Sequence, residues 1–342
     1  MLKPNHSLVV HFDDQMGKKY GKMGHGVLRF TSNRVVGCID RNRHGENSND
    51  VLSYGPECPV VEDVAEALLL GGQVLVLGMA PSGGRLTPYM LKEVDRAVEG
   101  GLSVINGLHQ TLADRYSKLP LGQWIWDIRK EPENLGIASG RAASLSNRRL
   151  LMIGTDMAIG KMTSGIEIWR EALRRGVRAE FLATGQIGIC VSGRGIPLDA
   201  IRIDYACGAV EQMVLDAADM DLQVIEGQGS IMHPGSASTL PLLRGSCPTH
   251  LVLCHQAGND TVAGHRVSLP PLLDMITLYE DIASACGGFP RPKTIGIALN
   301  TSNLDDHDAG STIKRLAQET GLPVADPLRF GVTPLVDALL DE

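Results

Sequence analysis

The chain has 342 residues, enough for about two domains at roughly 150 residues each, which excludes a small disulfide-stapled module. Hydrophobic residues make up 43% and aromatics 4%, so the core is expected to be aliphatic, and aromatics are too few for base-stacking platforms. Thirty-two Lys and Arg against 39 Asp and Glu leave a net charge of -7, which opposes a nucleic-acid or anionic-membrane footprint while leaving room for local sites that hold small anions.

The opening stretch MLKPNHSLVVHFDDQ carries acids early and has no apolar run of signal-peptide length. In the first half VVGCID reads as a buried strand ending in Asp40, and VEDVAEALLL as a helix stopped by Gly71 and Gly72. The most membrane-like stretch, ALLLGGQVLVLGMAP, falls short of the roughly 20 apolar residues of a span and is broken by Gly71, Gly72 and Gln73. Its second part, VLVLGMA, is expected as a buried strand. LTPYMLKEVDRAVEGG follows as a helix begun around Pro88 and ended by Gly100 and Gly101, then LSVINGLH as a strand running into His109. The stretch 127–149 turns polar and rich in Gly and Pro, so the boundary is placed there, with domains 1–145 and 146–342. Arg148 and Arg149 read as a solvated approach to the next strand.

The second half alternates again: strand LLMIG, helix MTSGIEIWREALRRG, strand AEFLATG, helix YACGAVEQMVLDAADM and strand LQVIEGQG. HLVLCHQ and TIGIALN are further strands, and PPLLDMITLYEDIASAC, GSTIKRLAQET and VTPLVDALLDE are helical. Continuous aliphatic strands separated by helices imply an α/β fold with mostly parallel sheets and ligands at their C-terminal edges. Cys38, Cys58, Cys190, Cys207, Cys247, Cys254 and Cys286 lack the close pairs of a zinc site and are expected as reduced, mostly buried thiols of a soluble cytoplasmic protein.

The sharpest motif is GTDMAIGKMTSG, which stands between a buried strand and an amphipathic helix. That context fits a phosphate-binding turn: successive backbone N–H groups surround an anion, Gly160 permits the close path, and Lys161 supplies a point charge. Gly154, Thr155, Asp156, Gly160, Lys161 and Thr163 are the expected cofactor contacts, with Asn300 at a later strand end facing an adenine edge. Met162 stands where nucleotide hydrolases place the Ser or Thr that meets magnesium, and a thioether is a poor ligand for that hard cation. No metal site is therefore expected.

VIEGQGSIMHPG supplies the chemical candidates. Glu226 ends an aliphatic strand and His233 follows Gly227 and Gly229, so either is placed to exchange a proton. Thr184, Gln186, Asp204, Asp326, Arg329, His109 and His255 are weaker strand-end candidates. Arg85, Arg141 and Arg329 are cations available to an anionic substrate.

Together GTDMAIGKMTSG, DYACGAVE, IEGQGSIMHPG and IALNTSNL resemble domain-of-unknown-function family 1611, over nearly the whole chain. The resemblance implies a Rossmann-like N-terminal domain followed by a P-loop NTPase-like domain distantly similar to dethiobiotin synthetase. It also implies D-glutamate N-acetyltransferase activity, with acetyl-CoA as acyl donor and an anionic amino acid as acceptor; the D configuration comes from the resemblance alone. Two other readings stay open: an ATP- and Mg²⁺-dependent carboxylate-activating or carboxylating enzyme, and a non-enzymatic protein whose halves sense a small ligand and a phosphate. A homo-oligomer, with the dimer as the general case, is the expected assembly.

Overall fold

Short aliphatic runs bounded by Gly, Pro and Asn bury both faces of a strand, and such strands pair in parallel when helices cover the sheet. A computed structural model, which describes residues 2–81, 83–116 and 118–341, has two six-stranded sheets, each parallel throughout. Contacts divide the chain into two units. One comprises Met1–Glu131 with Gln186–Ala200, the other Pro132–Gly185 with Ile201–Glu342. The stretch before residue 146 is tied to the second unit because the Glu211 carboxylate accepts the Ser139 and Arg141 N–H groups at 3.0 and 2.7 Å.

The first unit holds β1 (Leu8–His11), β2 (Val35–Ile39), β3 (Val60–Val61), β4 (Val74–Leu77), β5 (Ser103–Asn106) and β6 (Ile125–Asp127), in the spatial order β3-β2-β1-β4-β5-β6. This is the doubly wound order of dinucleotide-binding folds, with β1 at the point where the winding reverses. Val9, Leu75, Leu77 and Val104 pack with Met90 and Val94 of the helix Pro88–Glu99. The Thr87 hydroxyl caps that helix by accepting the Met90 N–H, and Pro88 opens it. The segment Gln186–Ala200 joins this unit through tight packing: a Cβ on Gly26 would lie 2.4 Å from Ile187.

The second unit holds β7 (Arg148–Gly154), β8 (Ala179–Leu182), β9 (Leu222–Ile225), β10 (His250–Gln256), β11 (Lys293–Asn300) and β12 (Val324–Ala325), in the order β12-β11-β10-β7-β9-β8. Here β7 is the reversal strand, flanked by β9 and β10. Arg149 departs from its expected solvated place and is 1% exposed. Its guanidinium donates to the Leu145, Asn147, Ser246 and Cys247 carbonyls, so it ties together two chain segments, 145–147 and 246–247, that would otherwise bury bare acceptors.

β1 is absent from the sequence reading of the opening stretch, and its last residue, His11, is buried with Nδ1 accepting the Asp13 N–H at 3.1 Å and Nε2 without a partner among the described residues. Burial, with Arg41 adding to it, lowers its pKa to about 4. The unfolded chain therefore takes up this proton near pH 6.5 while the folded chain resists it, and stability is lost as pH falls from 6.5 towards about 4, by up to about 1.4 kcal/mol per pH unit. Asp13 and Asp40, whose pKa values burial raises, act in the opposite sense at the acid end. Denaturant titrations across this window are expected to show a shallower acid slope in His11→Gln than in the parent; equal slopes would remove His11 from the pH response.

Candidate functional site

Because β7 is the reversal strand, the loops after it, after β9 and after β10 converge at one C-terminal sheet edge. The loop after β7 runs from Thr155 to Gly160 and enters the helix Lys161–Arg174, whose first turn has no side-chain cap. Ala158 and Gly160 take left-handed backbone angles, φ 55° and 111°, with Ile159 between them. Such alternation turns successive N–H groups towards one concavity, which suits an anion. A Cβ on Gly160 would meet no heavy atom of the described residues within 4 Å.

Lys161 is 6% exposed, and its Nζ donates to the Asp156 carbonyl at 2.6 Å. Burial lowers its pKa below the ordinary lysine value, offset in part by Cys254, Asp156 and Glu226. Asp156 staples the loop: Oδ1 accepts the Met157 N–H at 2.6 Å and Oδ2 the Ala263 N–H at 2.7 Å. Thr155 donates its N–H to the Cys254 carbonyl, and its hydroxyl pairs with His255 Nδ1, each at 3.0 Å. Asn300 reaches the same loop, its Nδ2 donating to the Ile159 carbonyl at 3.4 Å. Thr163 and Met162 lie half-exposed in the first helical turn. These contacts bring six of the seven expected cofactor residues into one loop-and-helix start, with Asn300 against it.

Glu226 follows β9 and is 3% exposed. Its Oε2 accepts the Thr184 and Gly185 N–H groups at 2.8 and 2.9 Å, and its own carbonyl accepts the Thr184 hydroxyl. Gly227 is required by contact: a Cβ there would lie 1.6 Å from the Met152 carbonyl oxygen and 2.9 Å from Lys161 Cδ. His233 is placed by its own turn, with Nδ1 accepting the Gly235 N–H at 3.0 Å and its ring 4.7 Å from that of His265. Among the described residues, those contacts do not include the phosphate loop. In the neutral tautomer selected by that bond, Nε2 carries the hydrogen, so His233 offers a donor.

Two participants had little or no sequence signal: His255, a weaker strand-end candidate, and Tyr279. His255, at the end of β10, bonds to the phosphate loop through Thr155 and is kept neutral by burial, which lowers its pKa despite Asp260. It also lines a cavity of about 480 Å³ with Asn259, Asp260 and Arg315. Its only sequence signal was a His after an aliphatic strand. Tyr279 gave none, since it sits in an amphipathic helix. Its buried hydroxyl donates to the Gly154 carbonyl at 2.7 Å and accepts the Ile231 N–H at 3.1 Å, joining the β7 loop to the β9 loop. Tyr279→Phe strands both groups and is expected to lower stability by about 1–3 kcal/mol, measured by urea unfolding; an unchanged midpoint would show that other partners replace it.

Asp326 and Arg329 have structural work. Asp326 accepts the Thr301, Leu328 and Arg329 N–H groups. Arg329 donates to the Leu304 carbonyl and pairs with Asp306, and Arg141 pairs with Glu211. Among the described residues the one cluster with metal-ligand spacing, Asp305, His307 and Asp308, is exposed at a helix start, where Asp305 serves as N-cap.

A parallel sheet whose reversal strand feeds a glycine-and-lysine loop into a helix, preceded by a unit in the Rossmann strand order, defines a P-loop protein with a Rossmann-like N-terminal domain. Residues 136–336 match the P-loop domain, and residues 41–131 the Rossmann-like domain, of the domain-of-unknown-function family DUF1611. The chain belongs to that family. It is 35% identical over 278 residues to a D-glutamate N-acetyltransferase of Pseudoalteromonas sp, covering 80% of this chain and 83% of that protein. A D-glutamate N-acetyltransferase of Tritonibacter scottomollicae is 34% identical over 280 residues, with the same coverage. The crystal structure of a DUF1611 family protein from Anabaena variabilis superposes with a TM-score of 0.94 at 45% identity, covering 99% of this chain and 100% of that one. No helix among the described residues is long and apolar enough to cross a membrane.

Proposed function

We propose that this chain transfers an acetyl group from acetyl-CoA to the amino group of an acidic amino acid, D-glutamate. The observation that carries the reading is the meeting, on one sheet edge, of the phosphate loop and its buried Lys161 with the buried Glu226 carboxylate and with His255, which the Thr155 hydroxyl ties to that loop, while Met162 stands in the position of a metal-binding hydroxyl. The relatives named D-glutamate N-acetyltransferase support the acceptor and the acyl group.

Acetyl-CoA, when bound, supplies an activated acetyl thioester. Lys161 and the N–H groups from Ala158 into the helix would hold its phosphates, with Thr163 donating to a phosphate oxygen and Asn300 lining the adenine side. The acceptor must present an uncharged amine, because an ammonium nitrogen has no lone pair. Glu226 removes that proton, the turn Thr184–Gly185 fixing its carboxylate. His233, with Nε2–H, donates to the oxyanion formed as the new C–N bond is made. The C–S bond then breaks, the nitrogen gives up its second proton to the departing thiolate as the amide forms, and Glu226 returns the first proton to solvent.

The test is a reaction of acetyl-CoA with D- and L-amino acids, read by free thiol and by mass of the product, with a parallel arm of Mg²⁺ and ATP. Transfer to D-glutamate without ADP formation is expected; ADP release that requires an organic acid and proceeds without thiol release would replace this reading with carboxylate activation. Glu226→Gln keeps an oxygen for the Thr184 and Gly185 N–H groups, so it should fold and bind coenzyme A within about threefold while transfer falls by about 10²–10⁴. Unchanged transfer in Glu226→Gln together with a collapse in His255→Gln would move the proton acceptor to His255.

A further inference from the structure

The Rossmann strand order of the first unit invites a dinucleotide at the edge beside β1, yet its residues are arranged otherwise. The glycines after β1 serve packing: a Cβ on Gly24 would lie 2.4 Å from the Phe12 ring, and one on Gly21 2.4 Å from the Gln15 carbonyl oxygen. Asp40, where such folds place the acid that meets a ribose, is 1% exposed, and its oxygens accept the Met16 and Asn42 N–H groups at 2.8 and 3.1 Å.

The same edge carries instead a cavity of about 300 Å³. It is at the small end of ligand pockets, which run from roughly 300 to 1,000 Å³, with room for a molecule of amino-acid size and none for a dinucleotide. Three loops supply its basic side chains, Lys19 and Lys22 after β1, His109 after β5 and Arg129 after β6, and Pro81 and Gly84 after β4 form a wall. No acid is among its lining residues. Lys22 also opens the nine-residue helix Lys22–Phe30, where the Gly24 N–H is taken by the Gly78 carbonyl at 2.6 Å, so the positive field comes from the side chains. Arg129 pairs through one Nη with Asp199 at 3.0 Å, but its Nε is buried without a partner among the described residues. Arg129 is itself a lining residue of the cavity, so its guanidinium beside the Asp199 pair is placed to meet an anionic ligand.

We propose that this cavity is a binding site for a small dianion, a dicarboxylate or a phosphate compound, held by the Arg129 fork and by Lys19 and Lys22. It stands apart from the acyl-transfer reading, since binding here needs no thioester. The test is calorimetric titration of the full chain with D-glutamate, glutarate and inorganic phosphate as probes, in a Lys161→Met background so that the phosphate cradle of the second unit contributes less. At least one probe is expected to bind, more weakly as salt rises. Carboxylates binding in preference assigns the site to a dicarboxylate, and phosphate in preference to a phosphate compound. Arg129→Gln should weaken that binding about tenfold or more, Lys22→Gln severalfold, and Lys314→Gln, an exposed residue of the second unit, not at all. Should Arg129→Gln fail to fold, the exposed pair Lys19→Glu with Lys22→Glu decides, with binding lost. No binding by any probe, or binding indifferent to Lys19, Lys22 and Arg129, overturns the proposal.

Discussion

Lys161→Ala is expected to weaken coenzyme A binding by about 10–100-fold, the worth of a hydrogen-bonded charge, while leaving the affinity for D-glutamate alone within experimental scatter. The argument starts from burial. Lys161 is almost enclosed, its stem lies against the Gly227 backbone, and its Nζ already reaches into the loop at the Asp156 carbonyl. Burial makes the charge costly to hold, which lowers its pKa, and an arriving phosphate relieves that cost by pairing with it. Lys161→Met separates charge from shape: it keeps most of the packed volume, so a loss equal to that of Lys161→Ala assigns the effect to the ammonium. Equal weakening of both ligands in either variant would show that Lys161 serves the fold and not the cofactor. The measurement is paired calorimetric titration of each variant with coenzyme A and with D-glutamate.

Gly227→Ala is expected to be the most disruptive single methyl at this edge. The added carbon would lie 1.6 Å from a backbone oxygen of Met152, so no side-chain rotation relieves it and β7 must move from the β9 loop. Overpacking of well-packed interiors costs about 1–3 kcal/mol and occasionally more, and here the neighbour is backbone, so a loss of about 3 kcal/mol or greater is expected in urea unfolding. Coenzyme A binding should fall with it, because Lys161 Cδ is also within 2.9 Å of the added atom. Gly136→Ala, with nothing within 4 Å, is the control and should leave the unfolding midpoint nearly unchanged. A variant Gly227→Ala as stable as this control would mean that the two strand ends separate freely.

The parallel α/β character, the strand–loop–helix around GTDMAIGKMTSG and the turn after LQVI were legible because each depends on local pattern: aliphatic runs, glycine where φ is positive, and a lysine opening an amphipathic helix. β3, β6 and β12 were not, since strands of two or three residues carry too little periodicity to be told from loops, and β1 was missed although it is as long as β4. Arg149 shows a second limit. Adjacent arginines look solvated, and only carbonyls brought in from residues about 100 positions away make a buried guanidinium favourable.

Residue order alone established a phosphate-gripping turn and the absence of a hydroxyl next to its lysine, because backbone conformation and ligand hardness are properties of neighbouring residues. Tertiary structure decided which distant groups meet that turn. The strand order seats β7 between β9 and β10, so Glu226 and His255 come to one edge, and Tyr279 locks two of its loops together. In the first unit the same physics gathers Lys19, Lys22, His109 and Arg129, separated by up to 110 positions, around a single cavity. No local pattern records such meetings, because side chains far apart in sequence become neighbours only when the sheet's crossovers are complete.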